Sequence, residues 1–180
     1  GVKFNRTTPT ATSWGGTAFP SGTAGVNGAT IPLTAGYYNV DFNKDTSLYN
    51  FVVVPVTLIG NGVDGGNFST DYPMVSTDGG VTFTMSNVPL VNGFVKFRTN
   101  ASWALNWTAG TETTVGNVRT GTAVVNGSNN IATTTGNYDI SFNRQTLQYT
   151  FTYLGGGYTV IDFSNNAVAS AMVTSDGVNY

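Results

Sequence analysis

Gly36-Tyr-Tyr-Asn-Val-Asp-Phe-Asn43 returns one hundred positions later as Gly136-Asn-Tyr-Asp-Ile-Ser-Phe-Asn143. The match continues, with Thr46, Tyr49 and Phe51 falling on Thr146, Tyr149 and Phe151. In Tyr138-Asp-Ile-Ser-Phe142 apolar and polar residues alternate, which predicts a strand with one buried face. A short polar connection, Asn143-Arg-Gln-Thr146, leads into Gln148-Tyr-Thr-Phe-Thr-Tyr153, which alternates again. Two alternating runs joined by a few polar residues predict a hairpin. The earlier copy predicts the same: Tyr38 to Phe42, a connection from Asn43 to Ser47, then Leu48 to Val52.

The repetition extends outward from these hairpins. Val2-Lys-Phe4 repeats as Val95-Lys-Phe97, Trp14 falls near Trp107, and Met74-Val-Ser-Thr-Asp-Gly79 repeats as Met172-Val-Thr-Ser-Asp-Gly177. The period is about 93 to 100 residues, the size of a small β-sandwich. The expected fold is therefore all-β, built of tandem immunoglobulin-like β-sandwich repeats of about 95–100 residues. Residues 1–54 read as the second half of a repeat, 55–154 as a complete repeat, and 155–180 as the opening part of a further one. Pro55 interrupts the apolar run Val52–Ile59. Proline donates nothing to a ladder, so two strands are expected to meet there across a boundary. Between Tyr180 and Gly1 the pattern lacks a segment like Thr84-Met-Ser-Asn-Val-Pro-Leu-Val-Asn-Gly93. Asp78-Gly79 and Asp176-Gly177 read as hairpin turns. No segment carries sustained helical periodicity.

Composition narrows the function. Charged residues make up 9% of the 180, against roughly a quarter in ordinary domains. Thr, Asn and Gly carry the polarity, suiting short strands and tight turns. Seven scattered basic residues and a net charge of -2 offer no stripe for a phosphate backbone, so no nucleic-acid partner is expected. No apolar run of about 18 residues is present, so no helix is expected to span a membrane.

The chain has neither cysteine nor histidine. That excludes disulfides, thiolate or imidazole metal sites, and Ser-His-Asp or Cys-His catalysis. Glu112 is the only glutamate, and the aspartates sit mostly in turn-like settings. We expect no enzyme, no catalytic residues and no cofactor. Asp64, Asn67 and Asp71 supply oxygens within a short stretch, but without the dense carboxylate spacing of a calcium loop. They read as a turn, and no metal site is expected. Asn5, Asn67, Asn100, Asn106 and Asn126 open Asn-x-Ser/Thr triplets, which chance supplies in so Asn- and Thr-rich a chain.

The order Leu58-Ile-Gly-Asn-Gly62, Gly93-Phe-Val-Lys-Phe-Arg98, Trp103-Ala-Leu-Asn-Trp107, Gly136-Asn-Tyr-Asp-Ile-Ser-Phe-Asn143 resembles the SusE/SusF-like outer-membrane starch-binding repeat domains of Bacteroidota. The resemblance covers Val56 to Tyr153 well and residues 1–54 in part. It implies tandem immunoglobulin-like sandwiches at an extracellular or outer-membrane surface, with aromatic side chains and nearby Lys or Arg contacting the glucan. By motif position the glycan-binding candidates are Trp103, Trp107, Lys96 and Arg98. The residues themselves place both tryptophans on a loop after the Lys96/Arg98 strand, where flat rings and polar forks could meet a sugar. The competing reading of Trp107 is a core indole, because Trp14 repeats it. Trp103 has no counterpart in the first half, where Pro9 to Thr12 stands instead.

Two functions follow as expectations. One is a non-catalytic extracellular structural repeat, building a surface fibre or stalk from further copies of the same chain joined head to tail. Residues 155–180 of one copy would complete residues 1–54 of the next. The other is a cell-surface module binding starch or maltooligosaccharide. In the first, Phe4, Tyr38, Phe42 and Phe163 stay incompletely buried in a single chain.

Overall fold

A computed structural model of the chain describes residues 1–7, 10–156, 161–162 and 167–168. The chain divides into two units. The first is Gly1–Val54 with Thr77–Val81, and the second is Pro55–Ser76 with Thr82–Tyr180. The first unit carries β1 (Phe4–Arg6), β2 (Thr12–Gly15), β3 (Ser21–Thr23), β4 (Gly25–Val26), β5 (Tyr38–Asn43) and β6 (Leu48–Val53). The second opens with β7 (Val56–Ile59), the single helical turn α1 (Asn61–Asp64), β8 (Asp71–Pro73) and β9 (Thr82–Leu90). Then come β10 (Gly93–Thr99), β11 (Ser102–Thr108), β12 (Glu112–Val115), β13 (Val118–Thr122) and β14 (Val124–Val125). It continues with β15 (Ile131–Thr133), β16 (Gly136–Asn143), β17 (Gln148–Gly155), β18 (Ile161–Asp162) and β19 (Ala167–Val168). The protein is all-β, as its alternation predicts. α1 is too short to leave a helical period in the sequence, and Gly65, left-handed at φ 69°, ends it.

The second unit is a sandwich of two antiparallel sheets. One runs β14-β11-β10-β7-β8, with β15 also on β10; the other runs β12-β13-β17-β16-β9. The first unit has two three-stranded sheets, β1-β2-β4 and β3-β6-β5. The quoted hairpins share their register: Val40 opposes Phe51 and Phe42 opposes Tyr49, as Ile140 opposes Phe151 and Phe142 opposes Tyr149. The reason is local. Asn43 Oδ1 accepts the backbone N–H groups of Asp45 and Thr46, and Asn143 Oδ1 accepts those of Gln145 and Thr146. Ser47 and Leu147 then reverse the chain at φ 58° and 62°.

The aromatic cores repeat as well. Phe4 stacks on Phe42 at 4.3 Å between centroids, and Phe97 stacks on Phe142 at 4.6 Å. Trp14 lies 5.7 Å from Phe42, and Trp107 lies 4.9 Å from Phe142. Tyr49 meets Phe51 edge-on at 6.0 Å, as Tyr149 meets Phe151 at 5.9 Å. Such pairs contribute about 1 kcal/mol each beyond the area they bury.

A glycine strand runs under each tyrosine. Gly22 opposes Tyr49 and Gly121 opposes Tyr149. A methyl group on Gly121 would lie 2.3 Å from Tyr149 Cζ. Tyr149 has little room to yield, because it is fully buried and its hydroxyl donates to Glu112 Oε1 at 2.6 Å. Burial, then that bond and the glutamate's charge, push its pKa well above the ordinary phenol value. Gly121→Ala is expected to destabilise the second unit by about 2 kcal/mol, the usual cost of overpacking. A urea titration checks it, and an unchanged midpoint would mean that the ring shifts freely.

The units differ in what covers one side of the core. In the second unit β7 pairs with the edge of β10 that β11 leaves free, and β9 pairs with the edge of β16 that β17 leaves free. In the first unit β1 pairs with β2 and β5 with β6, and their other edges carry no described strand. Burial follows. Tyr49, Phe51, Trp14 and Ile31 are buried, like Tyr149, Phe151, Trp107 and Ile131. Val2, Phe4, Tyr38 and Phe42 are only partly buried, whereas Val95, Phe97, Tyr138 and Phe142 are buried. Val40 is 47% exposed where Ile140 is 2% exposed.

Two details correct the sequence reading. The strand expected at Val2–Phe4 lies at Phe4–Arg6, and Val2 forms an isolated bridge to Ile31. Of the segment expected at Tyr158–Phe163, Ile161–Asp162 form β18, antiparallel to β19 with Ile161 opposite Val168. Phe163, the strand expected at Ala171–Val173 and the Asp176-Gly177 turn lie outside the described residues. At Asp78-Gly79 the carboxylate Oδ1 accepts the Val81 N–H at 3.1 Å, closing a turn through Gly79 and Gly80 at positive φ.

Candidate functional site

Two surfaces stand out among the described residues. The first surrounds Trp103. β10 sends Val95 and Phe97 into the core and Lys96 and Arg98 to the opposite face, the alternation its sequence predicts. β11 pairs antiparallel with β10, so both tryptophans belong to a strand and not to a loop after it. They are four residues apart and would share a face on a regular strand. They do not, because Asn106 opposes Arg98 while Ser102 opposes Thr99, leaving Trp103, Ala104 and Leu105 as a bulge. Asn106 holds that bulge by donating from Nδ2 to the Trp103 carbonyl at 3.2 Å and to Asn126 Oδ1 at 3.0 Å.

The bulge separates the two indoles. Trp107 is 2% exposed and packs on Phe142, so it is a core residue without a face for a ligand, as Trp14 suggested. Trp103 is 47% exposed. The Arg98 guanidinium lies 4.3 Å from the Trp103 ring centre, Lys96 Nζ lies 5.9 Å from it, and Phe68 stands 6.4 Å away. Phe68, Lys96, Trp103 and Asn130 line an open cavity of about 290 Å³. The candidates Trp103, Lys96 and Arg98 therefore come together, and Trp107 does not join them.

Arg98 is less free than its place on the outer face suggests. Its Nε donates to Asp71 Oδ1 at 2.8 Å and its Nη2 to Oδ2 at 2.5 Å, while the Thr57 hydroxyl also donates to Oδ1. Asp71, read from the sequence as part of a turn, is thus the anchor that fixes Arg98 under Trp103. The Arg98 hydrogen bond, opposed by burial and aided by Thr57, holds the Asp71 carboxyl below its ordinary range. Because the folded pKa is lowered, the stabilisation is complete above the ordinary carboxylate range. It is lost as pH falls through the lowered folded value. Asp71→Asn should cost about 2 kcal/mol near neutral pH, between a surface pair and a fully buried one. Urea unfolding at neutral and acid pH checks it. The gap between the two proteins should close on acidification, and a constant gap would contradict the pair's role.

The second surface is the open side of the first unit: Val2, Phe4, Tyr38, Val40 and Phe42, bordered by the free edges of β1 and β5. Its chemistry is apolar side chains beside strand edges on which no further described strand lies. A strip of that kind invites strand addition. Among the described residues no group of three or more acidic side chains could hold a metal ion, and no helix is long and apolar enough to cross a membrane. Comparison with family models, with curated proteins and with solved structures found no match.

Proposed function

We propose that the protein is a non-catalytic extracellular structural repeat, whose copies join head to tail into a surface fibre or stalk. The observation that carries this reading is the open strip of the first unit. The same aromatic set is covered in the second unit by β7 and β9 and left only partly buried around Phe4 and Phe42. The later part of the chain includes a further antiparallel pair, β18 with β19, as β7 pairs with β8. Docking the later part of one copy on the first unit of the next is heterologous contact, which does not close and so grows a filament. Tandem immunoglobulin-like repeats and an outer-surface location belong to the same reading. Electron micrographs of the purified protein should show unbranched filaments. Fields of separate particles at every concentration would defeat the proposal.

A second reading, a SusE/SusF-like module binding starch or maltooligosaccharide, is favoured by Trp103, exposed beside Lys96 and held flat over Arg98. A sugar ring stacks its C–H face on such an indole, and loss of one exposed aromatic contact costs on the order of 1 kcal/mol. On that reading Trp103→Ala weakens retardation in starch gels several-fold, while Trp14→Ala leaves it unchanged. Wild-type protein running unretarded would remove the starch reading.

A further inference from the structure

We infer that the open cavity beside Trp103 takes an acidic sugar, a saccharide bearing a carboxylate or a sulfate, with Lys96 as its charge partner and Phe68 and Asn130 as further contacts; this rests on the sugar-binding reading of that surface and replaces its neutral ligand. Four segments build the walls. Lys96 comes from β10, Trp103 from the bulge of β11, Phe68 from the stretch between α1 and β8, and Asn130 from the position just before β15. Ile131 opposes Val95, so Asn130 follows beside Lys96 along that ladder. The Phe68 and Trp103 rings are inclined at 45° to one another, two apolar walls for the C–H faces of a sugar.

Charge decides the class of sugar. Arg98 commits Nε and Nη2 to the two oxygens of Asp71, so that pair is neutral. The ion pairs among the described residues are Lys44–Asp45, Arg98–Asp71 and Arg119–Glu112, and none includes Lys96. Lys96 therefore leaves one uncompensated positive charge on the cavity wall, with Nζ 5.9 Å from the Trp103 ring centre. A neutral sugar leaves that charge unmatched, whereas an acidic one pairs with it while its ring rests on the indole. The chain's net charge of -2 opposes indiscriminate attraction of polyanions. Asn130 adds a polar demand: its Oδ1 is buried and meets no donor among the described residues, so a sugar hydroxyl gives the amide the bond it lacks. The first unit does not repeat the site. Lys3 answers to Lys96, but Val2 bridges Ile31 as Val95 pairs with Ile131, which puts Thr30 in the place of Asn130, and nothing answers to Trp103.

Titration calorimetry of the full chain with three probes tests this: maltohexaose, a galacturonate hexamer and a sulfated galactan oligomer. One of the acidic oligomers should bind on the order of tenfold more tightly than maltohexaose at low salt, and the advantage should shrink as salt rises. Whether the uronate or the sulfated probe leads names the acid group. Lys96→Gln should bring the acidic and neutral probes level, Phe68→Ala and Asn130→Ala should weaken the acidic probe several-fold, and Lys3→Gln should change nothing. Maltohexaose binding as tightly as both acidic probes overturns the inference and leaves the sugar-binding reading standing. No binding of any probe overturns both. Acidic binding that survives Lys96→Gln, or that falls equally with Lys3→Gln, places the attraction elsewhere on the chain and also overturns the inference.

Discussion

Val40→Asp is expected to abolish association of the chains while leaving the single chain folded. Val40 sits at the core-facing position of β5 that Ile140 holds in β16, yet it is 47% exposed in the lone chain. A carboxylate there meets water before assembly, so the cost to the monomer is small. After completion of the sandwich it would face the closed core, as Ile140 does in the second unit. An unpaired charge in such a place costs several kcal/mol. At about 1.4 kcal/mol per tenfold, association should weaken on the order of a hundredfold or more. Sedimentation of wild type and variant over a range of concentrations reads this directly. Association at wild-type strength would mean that nothing covers β5. The paired control, Ile140→Asp, should unfold the second unit outright.

Phe142→Ala and Phe42→Ala should differ, although the two rings hold the same place in their hairpins. Phe142 is fully buried, stacked on Phe97 and flanked by Trp107. Truncating it leaves a cavity and removes two ring contacts, a loss of about 4 kcal/mol. Phe42 has equivalent ring partners in Phe4 and Trp14 but is only partly buried. In dilute solution its truncation should cost about 2 kcal/mol, since water already reaches one side of the ring. Tryptophan fluorescence during urea unfolding follows both, with Trp14 reporting the first unit and Trp103 and Trp107 the second. Equal losses at high dilution would show the two cores to be equally covered.

The hairpins were readable because their cause is local: alternation sets the face, and Asn43 or Asn143 sets the turn. The β7 start after Pro55 was readable for the same reason, a proline between two apolar runs. The bulge in β11 was not. It depends on Asn106 and Asn126, twenty residues apart, meeting across β14 and β11, and it reverses the face on which Trp103 falls. The partner of Arg98 was hidden likewise, since Asp71 lies 27 residues away and reaches it only because β7, between them, carries β8 one strand from β10. The unequal burial of Phe42 and Phe142 leaves no trace in either segment, because what differs is the neighbour and not the residue.

Amide hydrogen exchange at two concentrations tests the central claim most directly. Amides of Phe4–Arg6 should exchange quickly in dilute protein and gain protection as concentration rises, while those of β10 stay protected throughout. Identical exchange of β1 at both concentrations would contradict it.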